Sequence, residues 1–409
     1  MRIAVIGGGA AGMMAAIAAG QKGAEVTLFD GNEKLGKKIY ITGKGRCNVT
    51  NTASGEEFFN HVVRNPRFLY SSFAAFNNED VMHLIEEAGT PLKVERGGRV
   101  FPVSDKASDI TKALERLMHK YRVRIVLKAK VREIIPSDDG FDLDFGQETR
   151  HFDRVICACG GVSYPSTGSD GSGFKLVEAL GHTVTELKPS LIPVLTREDW
   201  CRELQGLSLK NVQLTAKMGK KVLYSELGEM LFTHFGISGP LVLSMSCYIV
   251  DKDLDKVEIF IDMKPGLTRE QLEKRLMRDF EEKARAQVGT VLDGLLPRSM
   301  TPVVSQLVQV AEDTPVNQVT REMRERILTT LKALPVHAVG FRPTAEAIVT
   351  RGGVKVREVD PKTMQSKVCP GLYLAGEMLD VDAFTGGFNL QVAFSTGHCA
   401  GSSAAEEAE

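Results

Sequence analysis

The chain has 409 residues, 43% hydrophobic and 25% charged, which at roughly 100–200 residues per domain gives room for two or three domains with real cores. Its formal net charge of −1 supplies no global field for nucleic acid or anionic lipid, so neither is expected as a partner. No apolar run approaches the roughly 20 residues that span a bilayer, and the cysteines are scattered without a C-x-x-C pair. This argues against a disulfide framework, a thioredoxin-like pair or a zinc cluster, and for a reducing cytoplasm.

Residues 2–6 read as a short buried strand, starting too early to leave room for a secretory leader. Gly7-Gly8-Gly9-Ala10-Ala11-Gly12 follows at once, then an Ala-rich helix over 13–20 and a strand over 25–29. Strand, glycine turn, helix and strand in succession make the βαβ unit of a parallel sheet. Residues 34–51 are glycine-rich and basic and read as an ordered loop. Helices are predicted over 65–88 and 106–120, and strands over 124–134, 141–145 and 154–158, the last ending in Gly160-Gly161.

The pattern changes after Pro189. Val212, Leu214, Ala216 and Met218 alternate along 211–218, as do Val257, Ile259 and Ile261 along 256–263. Period-two alternation predicts half-buried antiparallel strands. Helices follow over 268–287, 301–311 and 318–334, several with Ser or Thr placed to cap them. After Phe341 the strand-and-glycine style returns, with a buried strand over 371–377 and a closing helix over 388–400. The small, acidic tail over 404–409 is expected to fray.

Gly7, Gly9 and Gly12 fit G-x-G-x-x-G. The first glycine permits the tight turn, the second lets a pyrophosphate approach the backbone, and the third lets the helix pack on the strand. The helix N-terminus, including Ala10 and Ala11, then offers N–H groups to phosphate. Asp30 ends the second strand, where a dinucleotide site places its ribose-binding acid, and its charge favours a free 2′-hydroxyl over a 2′-phosphate. This fingerprint does not separate FAD from NAD.

Longer strings do. Lys34-Leu35-Gly36-Lys37-Lys38, Thr42-Gly43-Lys44-Gly45-Arg46-Cys47-Asn48, Phe101-Pro102-Val103-Ser104-Asp105-Lys106-Ala107, Gly236-Ile237-Ser238-Gly239-Pro240, Thr350-Arg351-Gly352-Gly353-Val354, Gly376-Glu377 and Gly386-Gly387-Phe388-Asn389-Leu390-Gln391 stand along nearly the whole chain. Together they resemble the aminoacetone-oxidase-like, 3-dehydro-bile-acid-reductase-like flavoprotein family. The resemblance implies an α/β fold: a Rossmann-type, glutathione-reductase-like FAD domain split by a β-rich and a helical insertion. The implied boundaries are 1–189 and 341–409 for the FAD domain, 190–265 with about 335–340 for the β-rich part, and 266–334 for the helical part. It implies that Gly7 to Gly12 and Asp30 hold the ADP half, with Val131 at the adenine through its backbone. Arg46, Cys47 and Asn48 would lie near the ribityl chain or flavin; Gly376, Glu377, Gly387, Phe388, Asn389 and Leu390 would hold the ribityl and ring end. Asp30 departs from the Glu of many relatives but keeps the charge.

The residues themselves leave alternatives open. A helix starting near Phe388 would present N–H groups to the flavin edge that gains negative charge on reduction, though Gly386-Gly387 also suits a plain helix entry. Lys37, Lys38, Lys44 and Arg46 suit a pyrophosphate or an anionic substrate, or a solvated basic loop. Gly160, after a strand, is a further cofactor-side glycine. Cys47 reads as a packed small residue more readily than a redox thiol, and Cys157 and Cys159 as core residues on one side of a strand. His234, His337 and His398 read as structural. No metal site is expected and no catalytic residue is named, because a flavin carries the difficult chemistry itself.

The expected activity is hydride transfer between a small or sterol-like substrate and flavin N5. The chain has no second strand-linked G-x-G-x-x-G, so NAD(P)H is expected only as a transient donor at the same flavin face. The competing readings are an amine or aminoketone oxidase producing hydrogen peroxide and a flavin-loaded sensor without turnover. A tRNA-modifying flavoenzyme is a weaker variant.

Overall fold

Ile3, Ala4 and Val5 are fully buried because β1 (Arg2–Ile6) has a strand on each side. It pairs in parallel with β2 (Glu25–Asp30), which pairs with β3 (Arg124–Leu127). On its other edge it pairs with β4 (Arg154–Cys157), which pairs in parallel with β5 (Leu372–Leu374). The sheet order is therefore β5-β4-β1-β2-β3, and it joins strands from both ends of the chain. Parallel strands covered on both faces read as continuous apolar runs, as these do.

Helix α1 (Ala10–Gln21) packs on this sheet beside the closing helix, α3 (Phe388–Ala404), which itself contacts β4 and β5; α2 (Ala107–Lys120) covers the same unit. Close approach of α1 and α3 rests on two glycines one turn apart. A Cβ at Gly397 would lie 2.3 Å from the Ala11 carbonyl oxygen, and one at Gly401 would lie 2.1 Å from that of Ala15.

The computed structural model describes residues 1–406 and divides into two units, Met1–Ser190 with the chain from Thr344 onward, and Leu191–Pro343. Of the tail expected to fray at 404–409, Ala404 ends the closing helix and Glu406 pairs with Lys22, while 407–409 lie outside the described residues. In the second unit a seven-stranded antiparallel sheet is built from Ser208–Met218, Lys221–Thr233, Glu258–Asp262 and four short strands. Helices Arg269–Glu282, Thr301–Val308 and Arg321–Lys332 are inserted between Glu258–Asp262 and its sheet neighbour Leu334–Val336. Thr268 and Thr320 cap the first and last of these helices. No helix among the described residues is long and apolar enough to cross a membrane.

Three expectations need correcting. The helix expected over 65–88 breaks into a 3-10 turn and two helices, Tyr70–Ala75 and Asn78–Glu87, because Asn77 caps the latter in a reciprocal box with Asp80. The strand expected over 124–134 is two: Lys128 sits at φ 55°, and Glu133–Ser137 turns away into a separate three-stranded meander. The loop expected over 34–51 holds a short helix, Lys37–Ile41, and a 3-10 turn, Thr42–Gly45.

Candidate functional site

The first unit contains a cavity of about 410 Å³, within the range of small-molecule sites. Its lining includes the glycine turn, Asp30, Val131, Asn389 and Leu390, so both ends of the chain contribute to it.

The three fingerprint glycines differ in what a side chain would meet. At Gly7, φ 104°, a Cβ would lie 2.4 Å from the Ala158 carbonyl oxygen; at Gly12 it would lie 1.8 Å from that of Gly7. Both are demands of the fold. A Cβ at Gly9 would meet nothing within 4 Å. Gly9, Ala10 and Ala11 line the cavity, where the first N–H groups of α1 have no partner within the helix. This is the concave, positively polarised turn that a pyrophosphate needs.

Asp30 is held by this turn. One carboxylate oxygen accepts from the Gly8 N–H at 2.6 Å, the other from the Asn32 backbone and side chain at 2.7 and 2.9 Å. An ionised carboxylate has about four acceptor sites, so it retains capacity for a ribose hydroxyl. Lys37 lines the cavity and bonds Asn32 at 3.1 Å. Lys130 and Val131 line its side near Asp30, where Lys130 pairs with Asp170 at 2.8 Å. Burial pushes the Asp170 carboxyl up, but Lys130 and Ser172 outweigh it and bring it down to about 2.

A second polar cluster lies in the cavity wall. Lys38 Nζ donates to Glu377 Oε2 at 2.6 Å and to Ser163 Oγ at 2.7 Å. Glu377 Oε1 accepts from Ser163 Oγ at 2.9 Å and from the Thr350 N–H at 2.7 Å. Burial pushes the Glu377 carboxyl up; the Lys38 charge and the surrounding donors outweigh it and hold it below the usual range. Neighbouring Gly161 leaves room for this network, since a Cβ there would lie 2.1 Å from Thr350 Oγ1. Ser163 carried no motif of its own in the sequence, and Thr350 stood in the string Thr350 to Val354 without a role assigned to it. Only the parallel alignment of β4 and β5, and the strand pair Lys188–Ser190 with Val349–Arg351, bring these segments together.

Of the expected site residues, Gly7, Gly9, Ala10, Ala11, Asp30, Lys37, Val131, Gly160, Glu377, Asn389 and Leu390 line the cavity. The others stand behind it or apart. Arg46 pairs with Glu95 and with Asp105 and lies 4.2 Å over the Phe101 ring. Cys47 is fully buried at φ 60°, and burial pushes its thiol up to about 12, which disfavours a reactive thiolate. Asn48 Oδ1 is buried with no hydrogen-bond partner among the described residues. Gly376, φ 73°, packs on Ala11, where a Cβ would lie 2.7 Å from the Ala11 Cβ. Gly387, φ 101°, fits against the Thr50 carbonyl, and Phe388 stacks on His61 at 4.4 Å. Asn389 folds back on the chain, accepting from the Ala383 N–H at 3.0 Å and donating to the Ala383 carbonyl at 2.8 Å. Cys159 lies beyond the end of β4, which stops at Cys157; Cys157 is core, but Cys159 lines the cavity and its thiol is pushed by burial up to about 12.

The open space at Gly9 and the cavity it opens into, with Asp30 in its wall, fit an extended dinucleotide such as FAD. When bound, FAD supplies a two-electron carrier with N5 as its hydride position.

Comparison with known proteins agrees. The family model described as the HI0933-like protein Rossmann domain matches residues 1–403. The chain is 32% identical to a 3-dehydro-bile acid delta(4,6)-reductase of Clostridium scindens over 99% of both chains. It is 31% identical to a ribosomal RNA dihydrouridine synthase of Escherichia coli, over 96% of this chain and 95% of the other. A 3-ketosteroid delta1-dehydrogenase of Sterolibacterium denitrificans shares the fold, with a TM-score of 0.52 at 12% identity over 98% of this chain and 99% of that one. The chain therefore belongs to the HI0933-like family of FAD-binding Rossmann oxidoreductases.

Proposed function

We propose that this oxidoreductase saturates a ring carbon–carbon double bond conjugated to a carbonyl, in a small or sterol-like substrate, with hydride passing through flavin N5. The observation that carries the reading is the end-to-end similarity to a bile acid delta(4,6)-reductase. The cavity's polar groups gather at the α1 N-terminus with Asp30 and at the Lys38–Glu377 cluster. On this reading Gly7 to Gly12 and Asp30 hold the ADP half, Lys130 and Val131 border the adenine, and the Phe388 end of α3 faces the ring. Arg46, Cys47, Asn48, Gly376 and Gly387 shape the loops that carry these contacts. NAD(P)H serves as a transient donor, in a cytoplasmic setting.

A second reading is favoured by the dihydrouridine synthase relatives. The uracil ring also carries a double bond beside a carbonyl, so the chemistry is shared and only the carrier differs. The net charge of −1 gives RNA no global attraction, which ranks this reading second.

The test is anaerobic reduction of the flavin by NADH or NADPH, followed by reoxidation with a 3-keto-4-ene steroid, a ribosomal RNA fragment or oxygen. Fast reoxidation by the steroid is expected. Reoxidation by RNA alone selects the second reading. Reduction by an amine with rapid oxygen turnover and no nicotinamide response overturns both.

A further inference from the structure

The Lys38–Glu377 pair is built unlike the surface ion pairs of the chain. Both side chains are largely buried, 22% and 18% exposed, and both line the cavity. Glu377 receives three hydrogen bonds, from Lys38, Ser163 and the Thr350 N–H, so its oxygens are largely committed to the protein. Lys38 is in the opposite position. An ammonium has three donors, and among the described residues two are used, on Glu377 and Ser163. The remaining N–H belongs to a side chain that lines the cavity.

We infer that Lys38 is the residue of this pair that donates to the bound cofactor, that Glu377 positions it, and that the two together tune the flavin's reduction potential as one electroneutral couple. The inference rests on FAD occupying this cavity. Reduction adds negative charge to the flavin, and a fixed charge in a site of low dielectric acts strongly on it. Removing the ammonium leaves a buried carboxylate that opposes reduction. Removing the carboxylate charge leaves an ammonium that favours it. Removing both returns the wall to neutrality. A purely structural pair has no reason to give effects of opposite sign.

The experiment is spectroelectrochemical titration of the FAD-loaded protein and of K38M, E377Q and the K38M/E377Q double variant. K38M is expected to lower the ratio of reduced to oxidised flavin at a given potential by about tenfold, about 30 mV for a two-electron couple. E377Q is expected to raise it by a similar factor, and the double variant to fall within about threefold of the wild type. K38R, which keeps the charge, is expected to behave as the wild type. Shifts of the same sign in the two single variants, or no shift in flavin-bearing protein, overturn the inference. Should K38M fail to retain FAD, affinity of the apoprotein is read instead: a loss that K38R restores supports the inference, and one that K38R does not restore overturns it. A wild-type protein that takes up no flavin defeats the functional reading itself, an outcome distinct from a yellow protein with unmoved potentials.

Discussion

Adding one methyl group at Gly9 and at Gly12 is expected to separate cofactor binding from folding. Gly9 has φ −81° and ψ −170°, which alanine adopts freely, and its new Cβ meets no atom within 4 Å. The loss of a good cap and the reduced freedom of the unfolded chain roughly offset, so G9A apoprotein should stay within about 1 kcal/mol of wild type. The methyl group nevertheless fills the space through which a pyrophosphate reaches the backbone. FAD affinity should fall about 100-fold, about 2.7 kcal/mol. At Gly12 the Cβ would lie 1.8 Å from the Gly7 carbonyl oxygen, against an ordinary carbon–oxygen contact of about 3.3 Å. The turn and helix must part by more than an ångström, and overpacking of this kind costs about 3 kcal/mol. Urea denaturation of the apoproteins and FAD titration by flavin fluorescence read the two effects. A G9A protein that binds FAD like the wild type would refute the assignment of that space to the pyrophosphate.

The G401A change puts a Cβ 2.1 Å from the Ala15 carbonyl oxygen; it should destabilise the protein by about 1–3 kcal/mol in denaturant titration, and wild-type stability would contradict the close helix packing. Glu377 is held below its usual range in the folded state, so its contribution to stability is present above the unfolded value near pH 4.3 and lost as pH falls through the depressed folded value. Acid titration should therefore show wild type losing stability relative to E377Q below about pH 4, with parallel curves as the contrary result. Cys47, fully buried, and Cys159, half-buried in the cavity wall, are both pushed up to about 12 and should resist iodoacetamide at pH 8 in the native state; rapid alkylation detected by mass spectrometry would contradict the suppression of their thiolates.

What could be read from the chain was local. The glycine turn, Ala-rich helix and Asp30 lie within one short βαβ unit, so spacing alone carried their geometry. The alternation over 211–218 was visible because Val212, Leu214 and Ala216 are buried on one face, though Met218 at its end is not fully so and the strand begins earlier, at Ser208. Its hairpin partner Lys221–Thr233 was not, because Val222 and Leu227 are exposed and blur the alternation. The break at Asn77 did have a signal, Asn77 followed by Asp80, which the apolar periodicity on either side masked. In the Lys38, Ser163, Thr350 and Glu377 cluster, Lys38, Thr350 and Glu377 stood in separate strings and Ser163 in none; nothing in the sequence showed that the four meet, since they come from four segments that join only once the sheet is assembled. Similarly, Arg46 stood in a cofactor-like string, but its partners Glu95 and Asp105 are contributed by a hairpin and loop further on.

Hydrogen–deuterium exchange on the apoprotein before and after titration with FAD bears most directly on a site shared by the two chain ends. One equivalent of FAD per chain should slow exchange together at residues 7–12 and 387–391. Protection at only one of these segments, or no uptake of FAD, would contradict it.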